Sequence, residues 1–277
     1  MNDVNQSPIA AYKEEVSQYT KKDSIHALLF FAFIMLVATF SRFISFFPTG
    51  TGANIVYTAI QLGILFVILI KKGQGLRSVG IHLIDWKKAL IVGLVLAIAC
   101  IILFNGILMG LLGGWQLLPL GAVMQSILLF LFMAFYEDVF FAGYMQTRLY
   151  GLIKKDWMAI AAGAFMFVIL HWPSWLSRAI DTGEYGVFIF MNFVWIVMYL
   201  LLNTIFRHTR SIISVTLFHF SNNLAIGHLG FGLWVNAQQD DAFYFLSVGI
   251  CIILILLITK LILPYLNKRK AVKQKSD

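Results

Sequence analysis

The sequence predicts an all-α fold: a polytopic transmembrane helical bundle of about eight helices, with N-terminus and C-terminus cytoplasmic. Three observations predict it. Of the 277 residues, 60% are hydrophobic and only 12% are charged, too few polar side chains for a soluble domain to cover its core. Apolar runs recur at close to the ~20 residues that span a bilayer. Lys and Arg gather in alternate connections between those runs, as the positive-inside rule requires.

The elements follow in chain order. Residues 1–24 are polar and mixed in charge, and are expected to form a cytoplasmic segment. The first apolar run begins at Ile25. It has no small-residue cleavage site after it, so it reads as a retained helix, 25–47, rather than a signal peptide. Arg42, near its outer end, can snorkel to the interface. Pro48-Thr49-Gly50 closes it. Further helices are expected at 53–70, 89–112, 120–147, 157–172, 185–205, 211–228 and 242–264, followed by a basic tail, 265–277. Gly113-Gly114 marks one connection, and His171-Trp172-Pro173 closes the fifth helix. Cys100 and Cys251 lie inside apolar runs without metal-ligand spacing and read as core thiols. There is no internal repeat, and one domain, 25–264, fills the chain.

Orientation comes from the basic residues. With the N-terminus inside, the inner segments hold Lys13, Lys21, Lys22, Lys71, Lys72, Arg77, Lys87, Lys88, Arg148, Lys154, Lys155, Arg207, Arg210 and the Lys260–Lys275 tail. The outer loops hold Arg178 together with Asp181, Glu184, Asp240 and Asp241. This explains the net charge of +8. The basic residues are scattered over separate loops, so the charge is not a nucleic-acid signal. The expected surroundings are the lipid bilayer of a cell membrane.

A charge deep in a bilayer costs several kcal/mol and marks a functional candidate. Glu137 and Asp138 lie within the fourth helix, in Phe135-Tyr136-Glu137-Asp138-Val139-Phe140-Phe141-Ala142-Gly143. His171 lies in the fifth. His219 and Asn223 lie in the seventh, at a spacing of four that puts both on one face. At a rise of 1.5 Å per residue, Glu137 is roughly 17 Å in from Arg148 and His171 roughly 22 Å in from Asp156. His219 and Asn223 are roughly 14 and 20 Å in from Arg210. Three helices thus carry polar residues to a similar depth, as one shared site requires. Polar bonding between helices is the bland alternative.

This set allows a definite chemistry. A carboxylate can act as general base towards water with an imidazole sharing the task. A second His and an Asn amide can donate to an oxyanion. Those groups suffice to hydrolyse a peptide bond without a covalent intermediate and without a cofactor. A divalent metal held by Glu137, Asp138, His171 and His219 is also chemically feasible. There is no His-Glu-x-x-His of a zinc protease and no Gly-x-Ser-x-Gly elbow. A proton-coupled transporter would also bury carboxylates, but no repeated, broken-helix halves appear.

The motifs resemble the CPBP family, which unites CAAX prenyl proteases with bacteriocin-processing and abortive-infection proteins. The family pattern is Glu-Glu-x-x-x-Arg, then Phe-x-x-x-His, then His-x-x-x-Asn, each on its own membrane helix. Glu137-Asp138 with Ala142 stands at the first, Phe167 and His171 at the second, His219 and Asn223 at the third. The resemblance covers roughly residues 120–228. It implies a glutamate-dependent intramembrane endopeptidase in which Glu137 and His171 activate water, His219 and Asn223 form the oxyanion hole, and Asp138 supports them. Two positions depart from the pattern: the second Glu is Asp138 and the Arg is Ala142. Arg148, six residues beyond Ala142, points to another face. The compact chain and absent targeting segment suggest a bacterial relative, multi-pass in the cytoplasmic membrane. Its partners would be a peptide or membrane-protein substrate. The departures leave a second reading, a catalytically weak relative serving bacteriocin immunity or as a membrane scaffold.

Overall fold

The computed structural model describes residues 8–43, 51–103 and 120–227, together with Ile253. Helix α1 runs Pro8–Ser17, α2 Lys21–Phe43 and α3 Thr51–Lys71. A 3₁₀ turn, Leu76–Val79, leads to α4, Trp86–Ile101. Helix α5, Leu120–Asp138, passes into a π turn, Val139–Met145, and a last short helix α6, Gln146–Leu149. Helices α7, Asp156–Thr182, α8, Tyr185–Thr209, and α9, Ile212–Gly227, complete the bundle. Among the described residues there is no strand, so the fold is the all-α bundle that the composition predicts.

Four segments among the described residues are long and apolar enough to cross a membrane: Lys21–Phe40, Val123–Leu149, Asp156–Thr182 and Tyr185–Thr209. A shorter apolar helix spans Ile55–Lys71. Leu29, Ile70, Leu128 and Ile189 are exposed, as the lipid-facing surface of such a bundle requires. The inner faces pack through small residues, as membrane helices do. Helix α9 lies along α4. A Cβ on Gly93 would strike Leu217, and Ser214 Oγ donates to the Ala89 carbonyl at 2.8 Å. Helices α7 and α8 form the other close pair.

At one end of the bundle, polar side chains tie the elements together. Lys72 meets Asp23 at 3.0 Å and Arg207 meets Asp156 at 2.7 Å. Arg210 pairs with Glu15, and His82 Nε2 contacts the Arg210 carbonyl at 2.7 Å. The N-terminal segment is not simply the polar stretch that the sequence predicts. Tyr12 and Val16, four apart on α1, are buried, and Tyr12 packs edge-on against Tyr150 with Arg207 and Arg210 over its ring. Burial raises the Tyr12 phenol well above its ordinary range, so it stays neutral beside two arginines.

Other expectations need correction. Helix α2 begins at Lys21, not Ile25, because Thr20 and Asp23 form a capping box: the Thr20 N–H donates to Asp23 Oδ2 at 2.9 Å and the Asp23 N–H to Thr20 Oγ1 at 3.4 Å. The fifth predicted helix does not stop at His171. Helix α7 continues through Pro173 to Thr182, which carries Arg178 and Asp181 on the helix rather than in a loop. Proline removes one backbone donor, but inside a membrane bundle the alternative, an irregular chain in lipid, costs more. Ser174 Oγ donates to the His171 carbonyl at 2.9 Å beside the break. Cys100 is buried. The Arg42 side chain, Cys251, the tail 265–277 and, apart from Ile253, the predicted helix 242–264 lie outside the described residues.

Candidate active site

The site grows from the junction of α5 and the π turn. Glu137 and Asp138 close α5, and the backbone then widens over Val139–Met145, every residue of which is buried. π turns are uncommon and concentrate where a chain must re-aim side chains. Here the widening is held from several sides. Gly143 lies against the Val79 carbonyl of the 3₁₀ turn, where a Cβ would have no room. Its own carbonyl accepts from Thr147 Oγ1 at 2.6 Å and Arg148 Nη1 at 3.2 Å. Phe140 and Phe141 wedge into an aromatic cluster with Phe30 on α2 and Phe167 on α7.

His219 on α9 meets both acids. Its Nδ1 lies 3.0 Å from Asp138 Oδ1 and its Nε2 lies 3.7 Å from Glu137 Oε2. One imidazole is thus bracketed by two carboxylates. The acids differ in access: the Asp138 side chain is fully buried, whereas Glu137 keeps 14% of its side-chain surface open. Glu137 is thus the more open of the two acids, and the Asp138 carboxylate lies against His219.

The open side of Glu137 faces a cavity of about 230 Å³ between α2, α3, α5 and α7. His171 lines the same cavity. Its Nδ1 lies 2.8 Å from the Phe167 carbonyl. A carbonyl only accepts, so Nδ1 carries the proton and neutral His171 keeps its Nε2 lone pair. The ring is fixed by stacking on Trp195, with centroids 4.4 Å apart, and by Phe167 at 4.9 Å. Asn223, one turn beyond His219, is half-buried and makes no side-chain hydrogen bond among the described residues.

Of the sequence-predicted residues, Glu137, Asp138 and His219 are in contact, and His171 shares a cavity with Glu137. Asn223 follows His219 on the same helix and makes no hydrogen bond to either acid among the described residues. Ala142, at the position where the resembled motif has Arg, is buried in the π turn. Among the described residues no Lys or Arg pairs with either acid. Arg148 lies instead against Gln74 and Ser78. No cluster of three or more His, Cys, Asp or Glu able to hold a metal ion occurs among the described residues.

Sequence reasoning missed two polar ties near the site. The Tyr136 hydroxyl donates to Gln61 Oε1 on α3, and the Tyr199 hydroxyl donates to Gln146 Oε1 beside Gly163, where a Cβ would collide with both groups. Gln61 left a signal, since it is a polar residue in the middle of the apolar run 53–70. Gln146, directly after the aromatic stretch, left a weaker one.

Residues 119–225 match the family described as Rce1-like, type II CAAX prenyl endopeptidase. No curated protein and no solved structure matches the chain.

Proposed function

Because residues 119–225 match the Rce1-like, type II CAAX prenyl endopeptidase family, we propose that this chain is an intramembrane endopeptidase working through Glu137-activated water. The observation that carries the proposal is the placement of Glu137, with its carboxylate beside His219 at 3.7 Å and its open side on a cavity shared with His171. Glu137, assisted by the His171 Nε2 lone pair, takes a proton from a cavity water as the water oxygen attacks the scissile carbonyl carbon. The carbonyl oxygen becomes an oxyanion, which His219 and Asn223 stabilise as donors. The C–N bond then breaks, and the proton held by Glu137 passes to the departing amine. Asp138 orients His219 through its Nδ1 contact. The substrate is a membrane-associated peptide or protein segment, and the protein is multi-pass in a bacterial cytoplasmic membrane with its basic end inside.

The test is a panel of Glu137→Gln, His171→Ala, His219→Ala and Asn223→Ala proteins, purified in detergent and assayed on quenched prenylated and unprenylated peptides. The proposal requires that wild type cleaves a peptide and that Glu137→Gln abolishes cleavage. Equal cleavage by both would refute it. A second reading, a weakly catalytic relative acting in bacteriocin immunity or as a scaffold, is favoured by Ala142: among the described residues no Lys or Arg pairs with the two acids. On that reading Glu137→Ala would retain the full biological activity in cells.

A further inference from the structure

Gln61 is not part of the three family motifs, yet it lines the cavity with Glu137 and His171. It is 91% buried, by an exposure of 9%, in a helix otherwise built for lipid. A buried amide has two ends to satisfy. Its Oε1 accepts from the Tyr136 hydroxyl, and Tyr136 directly precedes Glu137. With Oε1 taken up in that bond, Nε2 and its donor hydrogens have no partner among the described residues. Thr58 lies one turn earlier on the same face of α3 and lines the same cavity. Its hydroxyl donates to Met133 Sδ at 3.4 Å, so its oxygen lone pairs remain open.

The cavity wall therefore presents a donor and an acceptor three residues apart on one helix, beside the candidate base. A peptide backbone presents the complementary pair, a carbonyl that accepts and an N–H that donates. A lipid tail offers neither and would leave both wall groups unpaired. We propose that Gln61 and Thr58 form a backbone-binding subsite that holds the peptide next to the scissile bond. Gln61 Nε2 donates to a peptide carbonyl, and Thr58 Oγ1 accepts from a peptide N–H. Gln61 is a positioning residue, tied through Tyr136 to the segment carrying Glu137. This inference rests on the peptidase reading.

The bland alternative is that Gln61 merely ties α3 to α5 through Tyr136. Gln61→Met, Tyr136→Phe and the double variant separate the two. Gln61→Met alone strands the Tyr136 hydroxyl; the double variant strands nothing and should melt within about 2 °C of wild type, since an apolar pair of the same shape can replace a bonded one. With a peptide that wild type cleaves, the subsite predicts that the double variant keeps a KM about tenfold above wild type, the worth of one hydrogen bond, with kcat within twofold. A double variant that regains the wild-type KM overturns the inference. A second arm needs no turnover: fluorescein-labelled prenylated and unprenylated peptides are titrated into Glu137→Gln protein with and without the Gln61→Met, Tyr136→Phe pair. Binding weakened about tenfold by the paired change supports the subsite even if wild type cleaves nothing, in which case only the peptidase reading falls. Binding indifferent to Gln61, or no peptide bound at all, overturns the subsite.

Discussion

Arg148 offers a sharp test of how the carboxylate pair is held. Its side chain is among the most deeply buried in the chain. Nη1 donates to the Ser78 carbonyl at 3.0 Å, the Gly143 carbonyl at 3.2 Å and Thr147 Oγ1 at 2.7 Å. Nη2 donates to Gln74 Oε1 and Ser78 Oγ, each at 2.8 Å. Tyr19 and Tyr144 cover the guanidinium with ring centroids 4.4 and 4.7 Å away. Arg148→Ala removes these contacts together: Gln74 Oε1 and the Ser78 carbonyl on the 3₁₀ turn lose their Arg148 donor, and the Gly143 carbonyl on the π turn loses one of its two side-chain donors. Removing one member of a buried charged network costs about 3–5 kcal/mol. For a chain of this size that converts at about 2–4 °C per kcal/mol to a melting temperature lower by roughly 6–20 °C. Arg148→Lys keeps the charge but cannot reproduce the planar fork, so it should fall between the two. The assay is tryptophan-fluorescence unfolding in detergent. An Arg148→Ala protein melting within 2 °C of wild type would refute the clamp and leave the π turn without its main anchor.

Further outcomes follow from the same geometry. His171→Phe keeps a ring to stack on Trp195 but loses the Nε2 lone pair, so peptide turnover should fall about 10²–10⁴-fold while the melting temperature moves little; both are read on one preparation. His219→Ala should lower kcat about 10²–10³-fold, the loss expected of one oxyanion donor, and Asn223→Ala should lower it by a similar or smaller factor in the same assay. Gly163→Val forces a side chain into the Tyr199–Gln146 contact and should destabilise by about 1–3 kcal/mol or more, seen as a lower melting temperature and poorer recovery from membranes.

Much of this was legible in the sequence, for a physical reason. Lipid admits few charges, so Glu137, Asp138, His171 and His219 stand out against their apolar surroundings, and depth counted from the nearest charge brought them to one level. The structure places Glu137 and His219 in contact and puts His171 on the same cavity. The apolar runs located the helices because membrane spans need little more than length and hydrophobicity. What escaped was whatever leaves that pattern unchanged. The π turn over Val139–Met145 keeps an apolar run apolar while shifting the register of everything beyond it. Pro173 reads as a stop in water but not inside a bundle that penalises an irregular chain. Tyr12 and Val16 are too few to announce that α1 docks. Arg148, close to a basic cluster, reads as solvated, and its burial depends on Gln74 and Ser78, 74 and 70 residues away.

The claim at the centre of this account is that the Glu137 carboxylate activates water for peptide-bond hydrolysis, and the most direct measurement is single-peptide turnover by wild type and Glu137→Gln, with products identified by mass. Glutamine keeps the size of the side chain and removes the base. The account predicts one defined cut by wild type and none by Glu137→Gln, with both proteins melting at similar temperatures. The same cut made at the same rate by Glu137→Gln would contradict it.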